Sequence, residues 1–161
     1  YIVFYLSKYL FGDLNGMLDK NSYFREIFYE GVHVATHVKP SEVPPGLNFV
    51  TTDDKFMQLG IWKYDKNHEL PPHFHNEFER KSYKTNEFVF VAKGKLQSDL
   101  YTEHGEFIET VIVDEGEGIL LHNHAHHYKI LEDSIILESK NGPFMGVEKD
   151  KTVIDVKKSK N

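Results

Sequence analysis

The chain has 161 residues, no cysteine and a net charge of −6 with the histidines neutral. This length is enough for one domain with a buried core, and the lack of cysteine excludes disulfides, thiolate catalysis and cysteine-based metal sites. Nucleic-acid binding needs clustered Lys and Arg to neutralise phosphates, whereas the basic residues here cluster only in a short tail at residues 155–161, so we expect no nucleic-acid partner.

The chain opens with an apolar run, Tyr1–Leu6. The run is far shorter than the ~20 residues that span a bilayer, and no basic stretch stands before it as in a signal peptide. We therefore expect no membrane partner and a cytoplasmic location.

Residues 1–31 differ from the rest of the chain. The stretch Ser22–Glu30 places Tyr23 and Ile27 on one helical face, and Gly31 is a plausible helix stop. We predict a short, partly helical N-terminal extension that covers a face of the domain or of a dimer partner. A homodimer is therefore expected.

From Val32 onward the sequence predicts strands. Short β-branched or alternating runs separated by turn residues are typical of an all-β sandwich or barrel. The runs are Val32–Val38, Phe56–Tyr64, Glu87–Ala92, Leu96–Tyr101, Phe107–Val113, Ile119–Leu121, His126–Leu131 and Ile135–Ser139. We predict one β-domain over residues 32–154.

Among the ten histidines, His73 and His75 are separated by one residue. On a strand both side chains would point to the same face. Two imidazoles on one wall suit zinc or a transition metal, although surface histidines can show the same spacing by coincidence.

Glu87 strengthens the metal hypothesis. It begins an alternating strand, so if Val89 and Val91 face the interior, Glu87 does too. A carboxylate in an apolar interior is costly unless something pairs with it. A metal held by neutral imidazoles is such a partner.

A second histidine cluster occurs later in the chain, within six residues: His122, His124, His126 and His127. Tyr128 and Ile130 share a strand face with His126, and Lys129 shares the opposite face with His127. The first face has the inward character, which favours His126 as the ligand, with His127 as the alternative.

In this order the elements resemble the cupin family. Its first motif is His-x-His, a spacer, Glu, six residues and Gly, and its second is Gly, five residues, Pro-x-Gly and a later His. The chain supplies His73, His75, Glu87, Gly94, Gly116 and His126 at these places. The resemblance covers roughly residues 45–150. It implies a double-stranded β-helix, the cupin jelly-roll barrel, which holds one divalent metal on His73, His75, Glu87 and His126.

More narrowly, Gly46–Phe49, Leu59–Asp65 and Glu138–Phe144 resemble small cupins often found beside sugar-nucleotide and surface-polysaccharide genes. Two features depart from the family pattern. Eleven residues separate His75 from Glu87 where most cupins have three or four, and His122 and His124 replace the Pro and Gly of the second motif. The replacement leaves a further imidazole ligand open.

Three imidazoles and one carboxylate usually leave coordination positions open for water or for substrate oxygens. Fe, Mn, Ni, Co, Zn and Cu all suit such a set. Candidate catalytic or substrate-binding groups are Arg80, Tyr128 and Glu138. We expect a metalloenzyme of the isomerase, epimerase or oxygenase type acting on a small carbohydrate-like or oxo-acid substrate. The alternatives are a non-enzymatic protein that binds a small ligand through its metal, and a structural barrel dimer.

Overall fold

The computed structural model describes residues 22–156, whose regular structure is mostly β-strand. The strands are β1 (Phe24–Tyr29), β2 (Val32–Val38), β3 (Gly46–Phe49), β4 (Gly60–Lys63), β5 (Glu87–Lys93), β6 (Lys95–Tyr101), β7 (Phe107–Asp114), β8 (Gly118–Leu121), β9 (Ala125–Ile130) and β10 (Ile135–Lys140). One 3-10 turn (Pro40–Glu42) and one short helix, α1 (Val147–Asp150), complete the described elements. The predictions for residues 1–21 and for the basic tail at 157–161 lie outside the described residues.

The strands form three antiparallel sheets. The largest has five strands in the order β1-β2-β8-β5-β10, the second has the order β7-β6-β9, and β3 pairs with β4. The all-β prediction is therefore confirmed. Within residues 22–156 the sheets do not close into a barrel, so the cupin jelly roll stays a prediction.

The helical prediction for Ser22–Glu30 is wrong, because β1 occupies this stretch and pairs with β2. The connecting residues Glu30 and Gly31 have φ values of 48° and 78°, and positive φ at both positions is the geometry of a tight two-residue hairpin turn. The register shifts between Ile27 and Phe28, where Val34 of β2 has no partner in β1. The extra residue of this bulge therefore lies on β2.

The core lies between the five-stranded and the three-stranded sheet. Its buried members include Val89 and Val91 of β5 and Leu96 and Leu100 of β6. Along β5 the side chains of Glu87, Val89 and Val91 are buried in alternation, as the sequence pattern predicts. The first of these carries the carboxylate into the edge of the core.

Residues 64–86 connect β4 to β5 and form neither helix nor strand. The strand predicted over Phe56–Tyr64 is present only as the shorter β4. In the part of the chain that the structure describes, no helix has the length and apolar character to cross a membrane.

Candidate functional site

A cleft of about 1010 Å³ opens where β5 begins and where the chain passes from β8 to β9. Its lining includes Glu87, His122, His124, His126, His127 and Tyr128. The volume is at the upper end of the range for small-molecule sites. The cleft therefore collects one of the two histidine clusters together with the predicted carboxylate ligand.

Glu87 is the buried charge of this cleft. It stands opposite Leu121 of β8 and Lys140 of β10 in the sheet, and only 6% of the residue is exposed. The Tyr128 hydroxyl donates a hydrogen bond to Glu87 Oε1 at 3.0 Å, and His126 Nε2 lies 3.7 Å from the same oxygen. These contacts give the carboxylate the polar partners that burial demands.

The environment keeps both partners of Glu87 uncharged. Burial raises the pKa of Tyr128 far above its usual value, and the negative charge of Glu87 adds to the shift, so Tyr128 remains a donor at any ordinary pH. Burial also lowers the pKa of His126, although Glu87 opposes the shift. The neutral imidazole is the form that binds a metal.

The two neighbouring histidines of β9 face different partners. His127 Nδ1 lies 3.6 Å from Asp99 Oδ2 of β6, and 60% of the His127 side chain is exposed. The histidine that contacts Glu87 is therefore His126, whereas His127 contacts Asp99.

His124 has a φ of 67°. A positive φ is the conformation that glycine adopts most readily, and His124 stands where the motif that the sequence resembles has a glycine. Both ring nitrogens of His124 are buried, and neither has a hydrogen-bond partner within residues 22–156.

His73 and His75 lie in the connection 64–86, which forms no strand, so the spacing argument that applies to a strand does not hold for them. Pro71 and Pro72 precede them and supply no backbone N–H for a sheet ladder, while Phe74 between them is 85% exposed. The two rings are nevertheless neighbours, with centroids 5.3 Å apart, and His73 Nδ1 lies 3.0 Å from the Pro71 carbonyl oxygen.

The structure does not bring all four predicted ligands together. Glu87 and His126 meet in the cleft, whereas His73 and His75 are exposed and do not line it. Among residues 22–156 no group of three or more His, Asp or Glu side chains is arranged to hold a metal ion. The donor set fits a divalent transition metal in chemistry, but as placed it supplies half of a site.

The remaining candidates also divide. Glu138 on β10 stands opposite Val89. Its charge adds to the rise in the pKa of Tyr128 and partly opposes the lowering of the pKa of His126 by burial. Glu138 therefore belongs to the electrostatic surroundings of the cleft. Arg80 is not brought there, since its guanidinium carbon lies 3.5 Å from the centre of the Phe78 ring in the exposed connection.

Sequence reasoning missed one wall of the cleft and the contacts of one of its histidines. Residues 149–156 form the wall, held by the Thr85 hydroxyl, which donates to Asp150 Oδ1 at 2.9 Å. The side chains of His33 and Thr36, which do not line the cleft, contact His122. The one available signal was the placement of polar residues within the otherwise apolar run Val32–Val38.

Comparison with known proteins returns no match for this chain, whether against protein-family models, curated proteins or solved structures. The cupin resemblance therefore rests on the motif residues alone.

Proposed function

We propose that the chain is a cupin-type protein that binds one divalent transition metal and, with it, a small oxygen-rich ligand in the cleft. The observation that supports this most directly is Glu87, a buried carboxylate whose oxygen lies 3.7 Å from His126 Nε2 in the cleft. A carboxylate beside an imidazole is a ligand pair suited to Fe, Mn, Ni, Co, Zn or Cu.

The other two ligands in this proposal are His73 and His75. In the three-stranded sheet, β9 pairs with β6 on one side and has no strand on the other within residues 22–156. An open strand edge presents unpaired backbone groups that readily accept a further strand. We propose that the segment around His73 and His75 pairs there when metal binds and so joins the two halves of the site.

The bound metal would act as a Lewis acid on a substrate oxygen or on water. Around it, Tyr128 holds a proton at its hydroxyl oxygen and orients Glu87, while Glu138 adds negative charge nearby. These groups support an isomerase, epimerase or oxygenase acting on a small carbohydrate-like or oxo-acid substrate. A non-enzymatic metal-dependent binding protein has the same site without turnover.

A metal-free acid–base site is the second candidate function. The 3.0 Å hydrogen bond from Tyr128 to Glu87 favours this function, because it places a proton donor, the Tyr128 hydroxyl, directly beside a proton acceptor, the Glu87 carboxylate, without any metal ion. Proton transfer by positioned Tyr, Glu and His side chains is a common catalytic device.

Metal content separates the two candidates. Untagged protein, purified without nickel resin, is compared with His75→Ala, Glu87→Ala and the control His68→Ala, which removes an exposed histidine from the same connection. We expect about one metal per chain in the wild type and in the control, and loss in the other two variants. Wild-type protein that stays metal-free after incubation with Fe, Mn and Zn would contradict the metal proposal and favour acid–base chemistry.

A further inference from the structure

Three side chains form a buried polar chain beside the cleft. His33 Nε2 lies 2.9 Å from Thr36 Oγ1, and the same oxygen lies 3.1 Å from His122 Nε2. Thr36 is 1% exposed and His122 is 7% exposed. Because buried polar groups need hydrogen-bond partners, the contacts of these three side chains determine which atom donates in each hydrogen bond.

The hydrogen atoms run in one direction. His33 Nε2 also lies 3.2 Å from the Ala35 carbonyl oxygen, which can only accept, and 3.8 Å from Glu26 Oε1. His33 Nε2 must therefore carry its proton and donate to Thr36 as well. The Thr36 hydroxyl has a single hydrogen, and within residues 22–156 its one other side-chain partner is His122 Nε2. Because the His33 N–H already donates to this oxygen, the buried hydroxyl hydrogen is donated to His122 Nε2.

This direction determines the tautomer of His122. Because Nε2 accepts a hydrogen bond, the proton of a neutral His122 ring sits on Nδ1. Burial, helped by the nearby His33, lowers the pKa of His122 to about 4, so the ring is neutral near pH 7. Within residues 22–156 no hydrogen-bond partner of Nδ1 is found, and His122 lines the cleft.

The ring is also held rigidly. Its centroid lies 4.0 Å from that of His33, which in turn stacks on Phe28 at 4.7 Å. The His122 backbone N–H donates to the Val34 carbonyl at 2.9 Å, and Asn86 Nδ2 donates to the His122 carbonyl at 3.0 Å.

We propose that His122 is a ligand-binding residue that presents a neutral Nδ1–H donor to the cleft, and that it is not a metal ligand. Neither ring nitrogen has a free lone pair, because Nε2 accepts from Thr36 and Nδ1 carries the proton. The matching ligand group is an oxygen acceptor, such as the carbonyl, carboxylate or hydroxyl oxygen of a small oxo-acid or sugar. The ligand class rests on the proposed function, whereas the tautomer does not.

Ring nitrogen NMR of histidine-labelled protein at neutral pH tests the tautomer. We expect His122, assigned with a His122→Phe variant, to be protonated at Nδ1 and unprotonated at Nε2. Thr36→Val should shift it to the Nε2–H form, and Thr36→Ser should keep the Nδ1–H form. A charged ring or an Nε2–H ring in the wild type overturns the proposal, whatever the Thr36 variants show.

Two additions test the role in binding. With one equivalent of ¹¹³Cd²⁺ the His122 ring should show no coupling to cadmium, and a coupling would make it a ligand and overturn the proposal. Pyruvate or D-ribose should move the Nδ1–H resonance, and His122→Phe should weaken that binding about tenfold, which corresponds to about 1.4 kcal/mol. No shift with either compound overturns the ligand role. If neither cadmium nor Fe, Mn or Zn binds while the tautomer is as expected, the metal proposal alone fails.

Discussion

At the level of individual residues, Glu87 carries a charged side chain into the edge of an apolar core. A buried carboxylate is tolerated when hydrogen bonds replace those of water. Tyr128 makes the one side-chain hydrogen bond to Glu87 found within residues 22–156. The stability of the buried carboxylate therefore depends on the Tyr128 hydroxyl.

Removing the Tyr128 hydroxyl tests how much this hydrogen bond stabilises the folded protein. Tyr128→Phe keeps the ring and leaves the carboxylate without its donor, so the free energy of unfolding should fall by about 1.5–3 kcal/mol. Urea denaturation of metal-free protein measures the change. Tyr101→Phe is the control, since Tyr101 also lines the cleft but its hydroxyl has no hydrogen-bond partner within the described residues. Equal losses in the two variants would show that the Glu87 contact adds nothing.

The sequence predicted part of the site at this scale. Alternation along β5 and β9 is a local property of the backbone, so it indicated the inward position of Glu87 and the preference for His126 over His127. The placement of His73 and His75 depends on which strand edge their segment meets. Spacing within one segment carries no information on that long-range pairing.

At the scale of elements, two motif glycines have different structural reasons. Gly94, between β5 and β6, has φ +89°, and a Cβ placed on it would lie 2.5 Å from the Asp133 carbonyl oxygen. Gly116, between β7 and β8, has φ +81°, and a Cβ placed on it would meet no atom within 4 Å. A side chain at Gly94 would therefore both strain the backbone and clash with Asp133, whereas one at Gly116 would only strain the backbone.

The two alanine variants should separate these causes. Gly116→Ala should lower the free energy of unfolding by about 1–2 kcal/mol, the cost of a left-handed conformation. Gly94→Ala should lower it by about 3 kcal/mol or more, because crowding adds to that cost. Thermal or urea unfolding of both proteins gives the comparison. A smaller loss at Gly94 than at Gly116 would be incompatible with the described packing of the turn.

The strand β10 ends the five-stranded sheet and exposes Ile135 and Leu137 at 60% and 62%. Open edges with apolar side chains favour strand pairing between copies. We propose a homodimer through this edge and expect a mass of two chains by light scattering at about micromolar concentration. Leu137→Glu should give one chain, while Leu47→Glu, at an exposed leucine of β3, should not. A monomeric wild type would contradict the proposal.

The strands from β5 to β10 lie close to their predicted positions, because turn residues mark their ends and alternation marks their faces. The strand β2 lies where it was predicted, over Val32–Val38. Only its partner β1 was missed, because the apolar spacing in Ser22–Glu30 imitates a helix. How the sheets are arranged depends on contacts far apart in sequence, which a local pattern does not encode.

For the whole molecule, buried histidines link stability to acidity. Burial lowers the pKa values of His33, His37, His122 and His126 below the usual value. The unfolded chain then binds more protons than the folded one below pH ~6.5, so this stability is complete above that pH and is lost as the pH falls towards the folded pKa values.

We therefore expect acid to destabilise the protein well before its carboxylates titrate. With a folded pKa of about 4, His122 alone should contribute a loss of about 2 kcal/mol between about pH 7.5 and about pH 5. Urea unfolding at both pH values measures it. His122→Phe should show a smaller loss, whereas His104→Gln, at an exposed histidine, should behave as the wild type. A stability that does not change over this range would contradict neutral buried imidazoles.

The connection 64–86 contributes no strand to the sheets that enclose the core. His73 and His75 of this connection can therefore change position while β5, β6, β8 and β9 stay paired. Under the proposed function, metal binding would then take place in a chain that is already folded, after its synthesis and separately from it. Folded protein without metal would persist until metal is present, and the fraction of chains with bound metal would follow the metal supply in the cell.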